Sequence, residues 1–121
     1  MPEPTPGAIQ ELSPRQVAEL LRERRILLID VREPSEYAVQ RISEALLHPL
    51  STFDAAALPP DQPRQVVFHC GSGKRSALAA QARLASGAPR ATHMTGGMAA
   101  WTAQGLPVTE IDPATGKPVR R

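Results

Sequence analysis

The stretch Gln65-Val66-Val67-Phe68-His69-Cys70-Gly71-Ser72-Gly73-Lys74-Arg75-Ser76 changes character twice. It opens as a short apolar run rich in β-branched residues, the pattern of a strand buried on both faces. It then passes through two glycines. From Lys74 to Ala85 it becomes dense in Ala, Leu and Arg, which favour helix, and Gly87 stands where such a helix would close. Strand, glycine loop and helix make up the half-unit of a parallel α/β sheet. Working outward, Arg25-Ile26-Leu27-Leu28-Ile29-Asp30-Val31 is a second run of the same kind. Upstream, Ser13-Pro14-Arg15-Gln16 is a helix start. Ser13 can cap, Pro14 suits the first helical position, and Gln16 can complete a capping box.

Shorter elements fill the rest. A short helix is expected over 34–37, a strand over 45–47 ending by Pro49, and a helical turn over 53–58 ended by Pro59-Pro60. A last strand is expected over 91–94 and a closing helix over 97–104 with Gly105 beyond it. Residues 1–7 carry three prolines and read as a flexible lead-in, and residues 111–121 read as a flexible tail. The whole predicts one α/β domain over 8–110, a central mainly parallel sheet flanked by helices.

Composition narrows the function. The 121 residues are 41% hydrophobic and 21% charged, enough to build one core. Fourteen Lys and Arg against twelve Asp and Glu leave a net charge of +2, a weak field, and aromatics are 3%. Nucleic-acid binding, which calls for a basic face and stacking rings, is not expected. No apolar stretch approaches the ~20 residues that span a bilayer, so no membrane association is expected and the default address is the cytoplasm. The only cysteine, Cys70, excludes an intrachain disulfide. His48, His69 and His93 are too far apart for a local metal-ligand pattern, and neither a metal nor a cofactor is expected.

The chemistry falls on Cys70. It sits at the carboxyl end of an expected strand and just before an expected helix, where open α/β sheets bind ligands. Gly71 and Gly73 permit backbone angles that turn successive N–H groups inward, and the helix adds its positive end. Lys74 and Arg75 add formal charge. Each favours a thiolate, which makes Cys70 a candidate nucleophile. An inert, buried Cys needs none of these neighbours.

Two rival readings fail on spacing. A nucleotide-binding P-loop needs glycine where Phe68 stands and Ser or Thr where Arg75 stands. Cysteine-dependent phosphatases place five residues between Cys and Arg. Here four lie between Cys70 and Arg75, a smaller ring suited to one extra sulfur atom rather than a phosphoryl group.

The loop HCGSGKRS at 69–76 resembles the active-site loop of the rhodanese-like sulfurtransferases. Asp30–Tyr37, DVREPSEY, resembles that family's early motif, and Gly96-Gly97-Met98-Ala99-Ala100-Trp101 through Gly105-Leu106-Pro107-Val108 resembles its closing one. The motifs stand in family order over about residues 8–110. Where the family often reads Gly-His-Ile-x-Gly-Ala, this chain has Gln40-Arg41-Ile42-Ser43-Glu44-Ala45. The resemblance implies a persulfide on Cys70, loaded from thiosulfate or a similar donor. Its sulfur would pass to cyanide, a thiol or a sulfur-accepting partner protein.

On this reading the amides from Gly71 through Ser72, Gly73 and Lys74 to Arg75 bind the terminal sulfur anion. The side chains of Lys74 and Arg75 hold the anionic donor, unless Arg75 pairs with a carboxylate. Arg32 is either an anion contact oriented by Asp30 or half of a structural ion pair with it. Ser72 is a candidate donor to the bound sulfur. Ser76 reads as a first-turn helix residue. Trp101, Met98 and Leu106 read as core, Gly96-Gly97 as a turn, and His69 as a packed histidine facing away from Cys70.

Overall fold

The computed structural model describes residues 7–121. In chain order the elements are β1 (Ile9–Leu12), α1 (Pro14–Arg22), β2 (Ile26–Asp30), α2 (Pro34–Val39), β3 (Gln40–Arg41) and β4 (Leu46–Leu47). Two 3-10 turns follow (Leu50–Thr52 and Ala55–Ala57), then β5 (Gln65–His69), α3 (Lys74–Ala85), β6 (Ala91–Met94), α4 (Gly97–Ala103), β7 (Thr109–Ile111) and β8 (Pro118–Arg120). Five strands form a parallel sheet in the order β1-β6-β5-β2-β4.

The apolar runs become the central strands β2 and β5, as expected of segments covered on both faces. Their side chains alternate between two cores. Ile26, Leu28 and Val67 join Val17 of α1 and Met98 and Trp101 of α4 on one face. Ile29, Val66, Phe68 and Cys70 join Ala79 and Ala80 of α3 on the other. The capping box at Ser13 forms in both directions, with Gln16 N–H donating to Ser13 Oγ at 3.2 Å and Ser13 N–H to Gln16 Oε1 at 2.8 Å.

β1 was not anticipated. Ile9-Gln10-Glu11-Leu12 is an edge strand too short and too mixed to stand out from its flanks, and pairing with β6 is what forms it. The helical turn expected over 53–58 is reduced to the 3-10 turn at Ala55–Ala57, which Asp54 caps through the Ala56 N–H. The lead-in expected over 1–7 lies, apart from Gly7, outside the described residues. The segment expected as a tail follows a folded course: β7 pairs with β3 and β8 to form a small antiparallel sheet. Its Pro, Gly and charged residues supply turn chemistry. Asp112 Oδ1 accepts from Ala114 N–H at 2.9 Å, Gly116 takes φ +69°, and Asp112 N–H closes the hairpin on Lys117 O at 2.8 Å.

β4 lies on one side of β2 and β5 on the other, so the chain reverses direction across the sheet there. Asp30 ends β2 and Cys70 follows β5, which puts both at the crevice where such sheets carry ligands.

Candidate active site

Cys70 leaves β5 and turns its sulfur into the loop that follows. Gly73 N–H donates to Cys70 Sγ at 3.1 Å and Ser76 N–H at 3.3 Å, and Ser76 Oγ lies 3.6 Å away. Gly73 can complete this turn because its φ is +104°, a left-handed value that glycine adopts without penalty. The first helical bond of α3 runs from Ala77 N–H to Gly73 O. The amides of Lys74, Arg75 and Ser76 precede it and have no helical carbonyl to meet. Ser76 spends its amide on sulfur.

Burial pushes the Cys70 thiol up, but the hydrogen bonds outweigh it. The Ser76 hydroxyl and then the amides of Ser76, Gly73 and Ser72 leave the thiol below its ordinary value. The reactive anion exists above that pKa and is lost as pH falls through it. Alkylation of Cys70 by iodoacetamide is therefore expected to reach half its plateau rate at a lower pH in the folded protein than in the same chain unfolded in denaturant. A midpoint no lower than that of the unfolded chain would contradict the geometry.

The loop is clamped from below. Met98 N–H and Ala99 N–H, at the start of α4, donate to the carbonyls of Cys70 and Gly71 at 2.8 and 3.1 Å. Gly97 makes the approach possible, because a side chain there would overlap the Cys70 carbonyl oxygen. The glycine pair read as a turn therefore also seats the loop. Adjacent glycines were the signal, but the partner they approach lies far away in sequence.

The expected residues are brought together only in part. Arg75 donates from both terminal nitrogens to Glu36 of α2, at 2.7 and 3.0 Å. Those bonds hold the Glu36 carboxyl down to about 2. The Arg75 guanidinium lies across Gly71, 3.3 Å from where a Cβ would stand, and near enough for the Cys70 charge to act on it. Lys74 and Ser72 are exposed. Of Ser72, it is the amide that acts on the thiol.

Asp30 and Arg32 do not open onto the loop. They form a buried pair, Nε and Nη2 of Arg32 on both Asp30 oxygens at 2.9–3.1 Å, and Nη2 also clasps the Gln40 carbonyl at 2.6 Å. Of the two sequence readings, the geometry is that of the structural clasp. Removing one member would strand a buried charge. His69, on the face away from Cys70, is fully buried with Nε2 3.5 Å from Asp30 Oδ2, and burial lowers its pKa.

Sequence reasoning foresaw a carboxylate partner for Arg75 without identifying Glu36, and it read Ser76 as a first-turn helix residue without its contact to the thiol. Ser76 Oγ lies 3.2 Å from the Gly73 carbonyl oxygen and also accepts from the Cys70 thiol at 3.6 Å. Among the described residues no cluster of three His, Cys, Asp or Glu side chains can hold a metal, and no helix is long and apolar enough to cross a membrane.

Residues 13–104 match the family model for the rhodanese-like domain. Over 101 residues the chain is 38% identical to the probable adenylyltransferase/sulfurtransferase MoeZ of Mycobacterium tuberculosis, covering 79% of this chain and 25% of that protein. It is 31% identical to a sulfurtransferase of Allochromatium vinosum, covering 83% of this chain and 94% of that one. It is 30% identical to the thiosulfate:glutathione sulfurtransferase of Saccharomyces cerevisiae, covering 66% and 67%. The chain spans about half, 55%, of an uncharacterized Synechocystis protein to which it is 32% identical. In fold it is similar to the crystal structure of a rhodanese-related protein from Thermoplasma volcanium, with TM-score 0.70, 24% identity, and 82% and 96% of the two chains covered.

Proposed function

The chain belongs to the rhodanese-like domain family, and we propose that it moves sulfane sulfur from thiosulfate, through a persulfide on Cys70, to cyanide or a thiol. The observation that carries this reading is the set of hydrogen-bonding groups around Cys70 Sγ, two amides that donate to it at 3.1 and 3.3 Å and the Ser76 hydroxyl, which accepts the thiol proton at 3.6 Å. A thiolate so held attacks the outer sulfur of thiosulfate. The S–S bond of the donor breaks, and sulfite leaves with its electron pair. The new terminal sulfur carries a negative charge, which the first-turn amides of Lys74 and Arg75 and the positive end of α3 stabilise. Cyanide or a thiolate then takes that sulfur and returns the Cys70 thiolate.

The acceptor is external, because the chain has one cysteine and no second thiol to resolve the persulfide. A sulfur-accepting protein meets the same requirement, and the name of the MoeZ relative, which pairs adenylyltransferase with sulfurtransferase, supports such a relay. The name of the yeast relative supports thiosulfate as donor and a small thiol as acceptor. A lone free thiol suits a reducing compartment, and we place the protein in the cytoplasm on that ground.

Cys70 is closed to solvent, so a donor reaches it only when a covering group moves. Arg75 is the group we assign, since its side chain is partly exposed and spans from Gly71 to Glu36. Glu36→Gln removes the competing charge and keeps the shape. The KM for thiosulfate is expected to fall about 3- to 10-fold with kcat little changed. The lost ion pair, about a third exposed on both sides, should cost under ~1 kcal/mol of stability. An unchanged or higher KM would remove Arg75 from this role.

The reading as a whole is tested by steady-state turnover with thiosulfate, 3-mercaptopyruvate and an aryl phosphate. Thiosulfate turnover in the presence of cyanide is expected. Turnover of the aryl phosphate alone would overturn it.

A further inference from the structure

Behind Cys70 a chain of hydrogen-bonding side chains runs to the surface. Ser76 Oγ lies 3.6 Å from Cys70 Sγ and 2.9 Å from His93 Nδ1, and His93 Nε2 lies 3.2 Å from Glu11 Oε2. Cys70 and Ser76 are fully buried, His93 is 4% exposed, and the Glu11 side chain is 63% exposed. Two separate features bring the four together. The parallel pairing of β1 and β6 sets Glu11 opposite His93, and the turn into α3 lays Ser76 between His93 and the thiol. His93 is linked by hydrogen bonds to two ionisable groups, Glu11 of β1 directly and Cys70 at the end of β5 through Ser76 of α3; its β5 neighbour, Phe68, is apolar.

We propose that Ser76, His93 and Glu11 form a proton path that takes the thiol proton of Cys70, with His93 as the base and Glu11 as its orienting partner. The proposal rests on Cys70 being the nucleophile and adds the fate of its proton. The chain has a consistent direction. A carboxylate can only accept, so His93 Nε2 carries the hydrogen toward Glu11 and Nδ1 is left as an acceptor. Ser76 has one hydroxyl proton, and His93 Nδ1 at 2.9 Å is nearer than the Gly73 carbonyl at 3.2 Å. With that proton given to His93, the Ser76 oxygen is free to accept the Cys70 S–H.

The transfer balances without an outside reagent. The S–H bond of Cys70 breaks and its electron pair stays on sulfur. Ser76 Oγ gains that proton as it passes its own to His93 Nδ1. The products are a thiolate and an imidazolium, and the hydrogen bonds now run the other way, from His93 to Ser76 and from Ser76 to sulfur. The imidazolium lies against the Glu11 carboxylate, and the thiolate lies among the Gly73 and Ser76 amides. His93 and Glu11 act through Ser76 and are positioning residues.

The test is a pH titration of thiolate absorbance for the full chain and for Glu11→Gln, His93→Gln and Ser76→Ala. The absorbance reads Cys70 directly, since the chain has no other cysteine. At a pH below the midpoint the thiolate fraction is expected to fall about tenfold in His93→Gln and Ser76→Ala, and about 2- to 5-fold in Glu11→Gln. Glu11→Gln is the decisive variant, because it alters an exposed side chain and leaves the core intact. Simple removal of a negative charge would favour the thiolate and lower the midpoint. A rise instead reports coupling through His93, and an unchanged or lowered midpoint in Glu11→Gln overturns the proposal. The titration needs no sulfur donor. A protein that fails to turn over thiosulfate but shifts its midpoint as stated would keep the proton path and lose the proposed function, and the converse result would do the opposite.

Discussion

Cys70→Ser is expected to lower thiosulfate:cyanide turnover by at least about a thousand-fold while leaving the fold in place. The serine oxygen can occupy the ring that now holds sulfur, accepting from the Gly73 and Ser76 amides, so the loop keeps its internal bonds. What is lost is the chemistry. A hydroxyl in this ring is not ionised near neutral pH, and an oxygen cannot store sulfane sulfur as a persulfide does. Stability should change by no more than ~1 kcal/mol, as for a near-isosteric swap at a site where hydrogen bonds remain. Steady-state assays and thermal melts on the same preparation separate the two effects. A variant retaining a tenth or more of wild-type turnover would show that sulfur passes by a route other than this thiol.

Gly97→Ala is expected to be the most damaging of the glycine substitutions. The residue has φ +58°, and an added Cβ would overlap the Cys70 carbonyl oxygen and stand 2.5 and 2.6 Å from the Gly71 carbonyl carbon and oxygen. Both neighbours are backbone, and both carbonyls are tied to the start of α4 by the Met98 and Ala99 amides. Neither can yield without breaking the seat of the loop. Backbone strain and forced overlap together should cost about 2–4 kcal/mol, and turnover should fall in the protein that does fold. Gly87→Ala is the control. Its φ is +105°, but nothing lies within 4 Å of the added atom, so only the conformational penalty of about 1 kcal/mol applies. Equal losses in chemical denaturation of the two variants would refute the docking role assigned to Gly97.

Much of the central fold was legible because it rests on local signals. The runs at 26–30 and 65–69 are apolar on both faces and had to be central strands, and Ser13, Pro14 and Gln16 marked the start of α1 by cap chemistry alone. β1 and β8 were not legible. Each is short and half-exposed, and each exists because a distant strand offers it hydrogen bonds. The same division runs through the site. Strand, glycines and helix start pointed to an amide ring at Cys70, since all of it lies within one stretch of chain. The partners that complete the site come from elsewhere: Glu36 lies 39 residues from Arg75, and His93 lies 17 from Ser76 and 82 from Glu11. For Arg32 and Asp30 the sequence left two readings open, because a place at a strand end suits a rim or a clasp equally; the distant Gln40 carbonyl of β3, which Arg32 also reaches, goes with the clasp.

In the proposed mechanism the amide ring after β5 holds a sulfur anion on Cys70. Mass spectrometry of the intact protein and its peptides after incubation with thiosulfate tests this most directly. A gain of the mass of one sulfur atom is predicted, confined to the peptide carrying Cys70 and removed on adding cyanide. No gain, or a gain that cyanide leaves in place, would contradict it.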